Sequence, residues 1–153
     1  MRSIVKFVPL VLLIGAATAC EDDDLGFTGA FDLTITETED TCDGVENIIF
    51  SQVEISGSAQ DITVRFSDDA VLTGGLNQAN FFDVSGNVIV PVMVDDQVFI
   101  VESFMEMIFE VSGQGRRLEI EEGSSLTYVG THPSAPGVTC IQEFVGQGQR
   151  TDD

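Results

Sequence analysis

The chain has 153 residues, 43% of them hydrophobic, with 6 Lys+Arg against 26 Asp+Glu. A formal net charge of −20 repels nucleic acid and anionic lipid headgroups, so we expect no nucleic-acid partner. The hydrophobic fraction argues against disorder, and the length fits one domain. With 1 His and 3 Cys, most catalytic and metal sites built from these residues are excluded.

The first 19 residues have the layout of a secretory signal peptide. A basic start with Arg2 and Lys6 is followed by an apolar run over 7–14 and by small residues up to Ala19. The apolar run is too short to span a bilayer, which takes about 20 residues. Removing this segment takes 2 of the 6 basic residues with it, so the remainder is more acidic still and contains no lysine.

The signal ends in Ala17-Thr18-Ala19-Cys20, which resembles the lipobox of bacterial lipoproteins, with Ala17 where leucine is usual. The resemblance implies cleavage before Cys20, a diacylglycerol on its sulfur and acylation of its new amino group. Cys20 is also the odd cysteine of three, and an unpaired exposed thiol on an exported protein needs an explanation. We therefore expect Cys20 to be lipidated, the alternative being an ordinary cleaved signal with a free cysteine nearby.

The lipid anchor predicts a bacterial cell-envelope protein that faces the periplasm or the exterior, with the choice of inner or outer membrane left open. Four carboxylates, Glu21 to Asp24, follow Cys20 and form either a solvated tether or a membrane-sorting signal. The expected organisation is a signal peptide over 1–19, an acidic tether over 20–26, a β-barrel domain over 27–150 and a tail over 151–153.

From residue 27 onward the chain alternates between apolar and polar residues, which predicts antiparallel strands with one wet face. The expected inward-facing groups are Phe31, Leu33 and Ile35; Ile62, Val64 and Phe66; Met105, Met107, Phe109 and Val111; and Leu118 and Ile120. Turns are expected at 56–58, 67–69, 74–75, 85–87, 95–96, 112–115, 122–124 and 133–137. The region 76–82 has room for a single helical turn.

About eight strands with short connections predict an all-β fold, either a sandwich or an up-and-down barrel. Cys42 follows the first strand and Cys140 lies in the last, and an exported pair of this kind is most simply a disulfide. Metal ligation by this pair lacks further Cys or His ligands. A Cys42–Cys140 bridge would join the two ends of the chain, which favours a closed or nearly closed antiparallel meander of about eight strands.

The domain resembles the lipocalin-like and avidin-like small barrels of bacterial lipoproteins at its two ends. In those barrels a Gly-x-Trp motif opens the first strand and an Arg ending the last strand packs across the ring. Here Gly29-Ala30-Phe31 stands at the start, with Phe31 in place of Trp, and Arg150 at the end. The resemblance implies that Phe31 and Arg150 cap one end of a barrel.

No catalytic constellation emerges from the remaining polar residues, so we expect no enzyme and no cofactor. His132 has no nucleophile near it in the sequence, and the Gly-rich segments 113–117 and 146–150 lack the features of phosphate loops. Acidic groups could bind Ca²⁺ from turns, but none has the spacing of a known calcium loop, so no metal site is assigned. The acidic groups considered were Asp68 with Asp69, Asp95 with Asp96, and Glu37 with Glu39, Asp40 and Asp43.

The sequence therefore predicts a monomeric, lipid-anchored envelope protein with a structural or interaction role. Phe and Met side chains are numerous enough to fill an eight-stranded barrel, and its loops would then meet other envelope components. The alternative is a lipocalin-like module that binds a small apolar ligand inside the barrel.

Overall fold

A computed structural model describes residues 25–42, 52–67, 70–129 and 139–151. These residues form nine β-strands and one short 3-10 turn, so the expected all-β fold is confirmed. Within this part of the chain, no helical segment has the length and apolarity needed to cross a bilayer. The strands are β1 (Gly29–Asp40), β2 (Gln52–Ser58), β3 (Asp61–Phe66), β4 (Val71–Gln78), β5 (Phe81–Val94), β6 (Gln97–Ser112), β7 (Arg117–Ile120), β8 (Ser125–Tyr128) and β9 (Cys140–Arg150).

The strands form an antiparallel meander that closes on itself. Each strand from β1 to β6 pairs with the next along the chain, and β9 returns to pair with β1 from Phe31↔Arg150 to Asp40↔Gln142. The short strands β7 and β8 both lie between β6 and β9, one after the other. The nine strands therefore occupy eight positions around a ring, as the alternating sequence predicts.

Strand alternation divides each strand into a buried and a wet face, as expected. Phe31 and Leu33 on β1 and all three predicted residues on β3 are buried, while Ile35 is half-buried against the same core. The predicted groups on β6 and β7 are buried too. Because direct cross-strand partners share a face, these residues form one continuous apolar interior.

Three of the turns expected at glycines lie inside strands, so those predictions were wrong. Gly57 belongs to β2, Gly74-Gly75 to β4, and Gly86 to β5. A Cβ added at Gly74 would stand 1.7 Å from the Asp83 carbonyl oxygen, closer than any side chain can lie. Glycine at this position thus allows β4 and β5 to approach closely rather than ending a strand.

Other expected turns are confirmed. Asp95 and Asp96 have φ of 50° and 62° and connect β5 to β6, and the turn before β7 spans Gly113–Gly115. Gly115 has φ of 80°, and a Cβ there would stand 2.0 Å from the Gly26 carbonyl oxygen. The prediction of a possible helical turn in 76–82 was wrong, because Leu76 on β4 and Phe82 on β5 are cross-strand partners.

The barrel has two ends with different contents. The aromatic end holds Phe27, the turns at 59–60 and 79–80, and the Gly113–Gly115 turn. The disulfide end holds the C-terminus of β1 and the N-terminus of β9. Cys42 follows β1, and Cys140 is the first residue of β9. At that end, the pairing of β5 with β4 stops at Thr73↔Ser85, whereas the pairing of β5 with β6 continues up to Val94↔Gln97. We call residues 87–102 the hairpin arm.

Candidate functional site

A disulfide between Cys42 and Cys140 joins the first and last strands, which confirms the predicted bridge. The Cα atoms are 5.0 Å apart, across a sequence separation of 98 residues. Beside it, the Thr41 amide donates to the Ile141 carbonyl at 3.0 Å, and the Ile141 amide donates to the Thr41 Oγ1 at 2.9 Å. The closure of the ring at this end is therefore covalent as well as hydrogen-bonded.

A buried polar network lies next to the disulfide. The Tyr128 hydroxyl donates to the Gln142 Oε1 at 2.7 Å, and the Gln142 Nε2 donates to the Glu37 Oε2 at 3.3 Å. Tyr128 is the direct cross-strand partner of Cys140, and Gln142 is that of Asp40. At this end of the barrel, beyond the apolar core, the interior is thus occupied by polar groups that are hydrogen-bonded to one another.

The electrostatics of this network keep its hydroxyl neutral. Burial raises the pKa of Tyr128, and the carboxylates of Asp40 and Glu37 raise it further. Burial, followed by the nearby Asp40 charge, also raises the pKa of Glu37. A phenol that holds its proton this firmly acts as a hydrogen-bond donor and not as a base. Sequence analysis missed Tyr128 and Gln142, although alternation along β9 could have assigned Gln142 to the inner face.

At the aromatic end, the register places Arg150 directly opposite Phe31. Phe31 is fully buried and Arg150 is half-buried on the same face of the sheet. A backbone hydrogen bond also joins the start of β1 to the residue after β9, since the Thr151 amide donates to the Ala30 carbonyl at 2.9 Å. The two residues implied by the barrel resemblance are therefore neighbours, and stacking of the guanidinium on the ring stays a prediction.

Three phenylalanine rings stack across the aromatic end. The Phe27 and Phe82 centroids are 5.3 Å apart with an interplanar angle of 8°, and those of Phe82 and Phe109 are 4.8 Å apart with an angle of 16°. Phe27 precedes β1, so the chain enters the fold by laying this ring against the strands β5 and β6. Sequence analysis placed Phe109 in the core but did not foresee the stack, because it depends on the pairing of β5 with β6.

The described interior is filled by its own side chains. A side chain with no exposed area borders no space that a water molecule could enter, and the largest buried residues have almost none. These residues come from strands β1 to β8, so packing extends across the barrel. They are Tyr128, Phe31, Phe66, Phe82, Phe109, Ile55, Ile62, Leu72, Met105, Met107, Leu118 and Leu126.

A recess of about 660 Å³ lies at the aromatic end, at the edge of this packed core. The residues that line it include Leu25, Phe27, Leu76 and Val111 and the turn Gly113–Gly115. The recess is large enough for a small ligand. Its size and its partly apolar lining fit the ligand-binding alternative.

Three carboxylates meet on the outer wall, where no metal site was expected. Ligand oxygens of Glu110, Glu119 and Glu121 all lie within 4.8 Å of one another. Burial, the charges of Glu110, Glu119 and Glu122, and a hydrogen bond with Glu110 all raise the pKa of Glu121. This cluster can share a proton and offers oxygens of the kind that hard cations prefer. Spacing placed Glu119 and Glu121 on one face, but only the β6–β7 register adds Glu110.

The acidic groups considered for calcium have other surroundings. Glu37 accepts a hydrogen bond from Gln142, and the Asp40 Oδ1 accepts one from the Cys42 amide at 2.6 Å. Asp95 and Asp96 form the exposed turn at the tip of the hairpin arm. Several predicted residues lie outside the described part of the chain: Cys20, the tether Glu21 to Asp24, Asp43, Asp68, Asp69 and His132.

Comparison of the chain with protein-family models, with curated proteins and with solved structures gave no match. Inference about function therefore proceeds from the residues and geometry of this chain.

Proposed function

We propose that this protein is a lipid-anchored barrel of the bacterial cell envelope with a structural or interaction role. The packed interior carries the proposal, because a barrel filled by its own Phe, Met, Ile and Leu side chains leaves its outer surface for recognition. The lipobox-like sequence ending in Cys20 supports the anchor. A diacylglycerol and an N-acyl chain together provide stable anchoring, at about 0.8 kcal/mol per buried CH₂.

The proposed anchor and the aromatic end are close along the chain. Leu25 and Phe27 already pack against the core, and only residues 20–24 separate Leu25 from the expected cleavage site. Five extended residues reach at most about 18 Å. Lipid on Cys20 would therefore hold the aromatic end of the barrel near the membrane surface.

The anchor is tested with the full-length chain expressed in bacterial cells. We expect wild-type protein to partition with detergent and to carry an acyl mass on a peptide that begins at Cys20. The Cys20→Ser variant should be unlipidated and should leave the membrane fraction, while Thr73→Ser, a change on the exposed wall, should change neither property. An acyl mass shift retained by Cys20→Ser would contradict the lipobox resemblance.

The second candidate function is binding of a small apolar ligand, which the recess at the aromatic end favours. Ala79 lies at its wall, so Ala79→Trp should occlude the recess, and Thr73→Trp serves as a matched control on the outer wall. Under the interaction role, Ala79→Trp leaves the binding of an apolar fluorescent probe to the folded protein unchanged. Saturable binding that Ala79→Trp abolishes and Thr73→Trp preserves would establish the ligand-binding role instead.

A further inference from the structure

The outer face of the hairpin arm is apolar and exposed. Ile89, Met93, Val98 and Ile100 are 62%, 62%, 60% and 68% exposed, and Pro91 is exposed beside them. The register pairs Pro91 with Ile100 and Met93 with Val98, so these side chains form adjacent rows on one face. We call these five residues the arm face.

The arm face differs from the rest of the barrel wall. Outward positions on β1 are Asp32, Thr34 and Thr36, and polar residues likewise hold most outward positions of β2, β3 and β9. Of the described residues, all the large hydrophobic side chains that are strongly exposed lie on the arm or at the disulfide end beside it. A concentrated apolar patch on an otherwise polar surface is typical of an interaction site.

The inner face of the same arm is part of the core. Val88, Val90 and Val92 are buried and alternate with exposed residues along β5. On β6 Val101 is buried, whereas Phe99, nearer the tip, is 40% exposed. Since alternation couples the two faces, the arm is held in one register and presents its outer face as a fixed surface. The exposed apolar rows are thus a property of the folded barrel and not of a mobile tail.

The charges around the arm face indicate what covers it. Asp95 and Asp96 form the tip, and Glu102 pairs with Ile89 at the base, all three exposed. Insertion of the tip into lipid would carry two carboxylates toward the hydrocarbon first, which is costly. A second copy would bring the same carboxylates together on chains with a formal net charge of −20 each. A protein surface with an apolar centre flanked by Lys and Arg would cover the apolar side chains and would also pair with the surrounding carboxylates.

We propose that the arm face docks a partner protein that presents an apolar patch bordered by Lys or Arg side chains. This inference rests on the proposed interaction role, for which it names the surface and the chemistry of the partner. It does not depend on lipidation of Cys20, so failure of the anchor test and failure of the docking test are separate results. Pro91 lacks an amide donor, which disfavours strand addition at the β5 edge and leaves the face as the contact surface.

The test is site-specific photo-crosslinking of the full-length chain in the cells that produce it. A benzophenone-bearing phenylalanine analogue is placed at Met93, on the arm face, or at Thr73, on the outer wall, as the control. We expect an adduct with another protein from position 93 and none from position 73. Mass spectrometry of the adduct should find Lys or Arg next to the crosslinked segment of the partner.

A second change in the same chain tests the role of the apolar face. With the crosslinker at position 93, Ile100→Glu should reduce the adduct at least tenfold, and Ile100→Val should preserve it. Thermal unfolding checks that each variant is folded, and Val98→Glu replaces Ile100→Glu if the latter lowers the midpoint. The proposal is overturned by an adduct with a second copy or with lipid alone, by no adduct, by an adduct insensitive to the glutamate, or by a partner segment without basic residues.

Discussion

At the aromatic end the termini of the fold meet around packed rings, whereas at the disulfide end they meet through a covalent bond and a buried polar network. The aromatic end buries Phe31 and Phe82 completely and depends on apolar packing, which neither redox conditions nor pH alter directly. The disulfide end depends on an oxidised bond and on hydrogen bonds between buried side chains. One ring of strands is thus closed by two different kinds of interaction.

The two ends also differ in what they present to their surroundings. The aromatic end has Phe27 packed over it and lies next to the proposed membrane anchor. The disulfide end bears the hairpin arm with its exposed apolar rows and acidic tip. Under the two proposals, the docking surface lies at the end of the barrel opposite the attachment point.

The largest expected effect concerns the covalent bond at the disulfide end. Replacing Cys42 and Cys140 together by serine should lower the free energy of unfolding by about 4–5 kcal/mol, because the bond closes a loop of 98 residues. Urea unfolding of purified protein measures the change, with Cys20→Ser as a control that should leave stability unchanged. A midpoint unaffected by loss of both cysteines would show that hydrogen bonds alone hold this end.

At the aromatic end the corresponding test is Phe82→Ala. Phe82 is fully buried and stacks on two rings, so its truncation should cost about 3–5 kcal/mol. The matched control is Phe99→Ala on the hairpin arm, where the ring is 40% exposed and the loss should be much smaller. Thermal unfolding compares the stability of the two variants. Equal losses of stability would refute the claim that apolar packing holds the aromatic end together.

A smaller effect is expected from the polar network. Tyr128→Phe removes the hydroxyl that donates to Gln142 and leaves a buried amide oxygen unsatisfied, at a cost of about 1–3 kcal/mol. Adding Gln142→Met should recover part of this loss, because it removes the unsatisfied amide oxygen, and the Glu37 carboxylate that loses its Gln142 donor is partly exposed to water. Chemical unfolding of the single and double variants measures the difference. A double variant that is less stable than Tyr128→Phe would argue against a direct coupling of the two side chains.

The smallest effect lies on the outer wall and depends on pH. Because the pKa of Glu121 is raised in the folded state, that state binds the proton more tightly than the unfolded chain, and ionisation at neutral pH lowers stability. Glu121→Gln should therefore stabilise the protein at pH 7 by roughly 0.2–1 kcal/mol, a range typical of cross-strand like charges and limited by solvent screening. Unfolding midpoints across pH provide the measurement.

The pH profile of that variant provides its own check. As pH falls through the folded pKa of Glu121, the wild-type carboxyl takes up its proton and the advantage of glutamine should disappear. Glu106→Gln, at an exposed position elsewhere on β6, is the control for a general change in net charge. A stabilisation that persists at acid pH, or one that Glu106→Gln reproduces, would point to a cause other than the carboxylate cluster.

The buried and exposed faces of the strands were predictable from the sequence. Apolar and polar residues alternate with a period of two along each strand, and this pattern can be recognised without knowing which strands pair. The inward positions of β1, β3 and β6 follow directly from Phe31, Val64 and Met107 and their neighbours. The disulfide was predictable from the number of cysteines and from the expectation that the protein is exported. Adjacent placement of Phe31 and Arg150 was expected from the resemblance to small lipoprotein barrels.

Features that depend on register could not be predicted in this way. Gly74 and Gly86 were assigned to turns because Gly-Gly and Ser-Gly-Asn clusters are typical turn signals. Both lie within strands instead, and Gly74 lies where neighbouring backbones approach closely. The assumed turn at Gly86 also concealed the continuity of β5, and with it the hairpin arm. The meeting of Glu110 with Glu121 likewise required the pairing of β6 with β7.

The central claim is that a lipid-anchored barrel with a filled interior acts through its surface. Mass spectrometry of the protein purified from its native membrane tests both parts in one preparation. The account predicts an N-terminal peptide that begins at Cys20 and carries acyl chains, and an intact mass that contains no additional bound small molecule. An unmodified Cys20, or a stoichiometric apolar ligand released on unfolding, would contradict it.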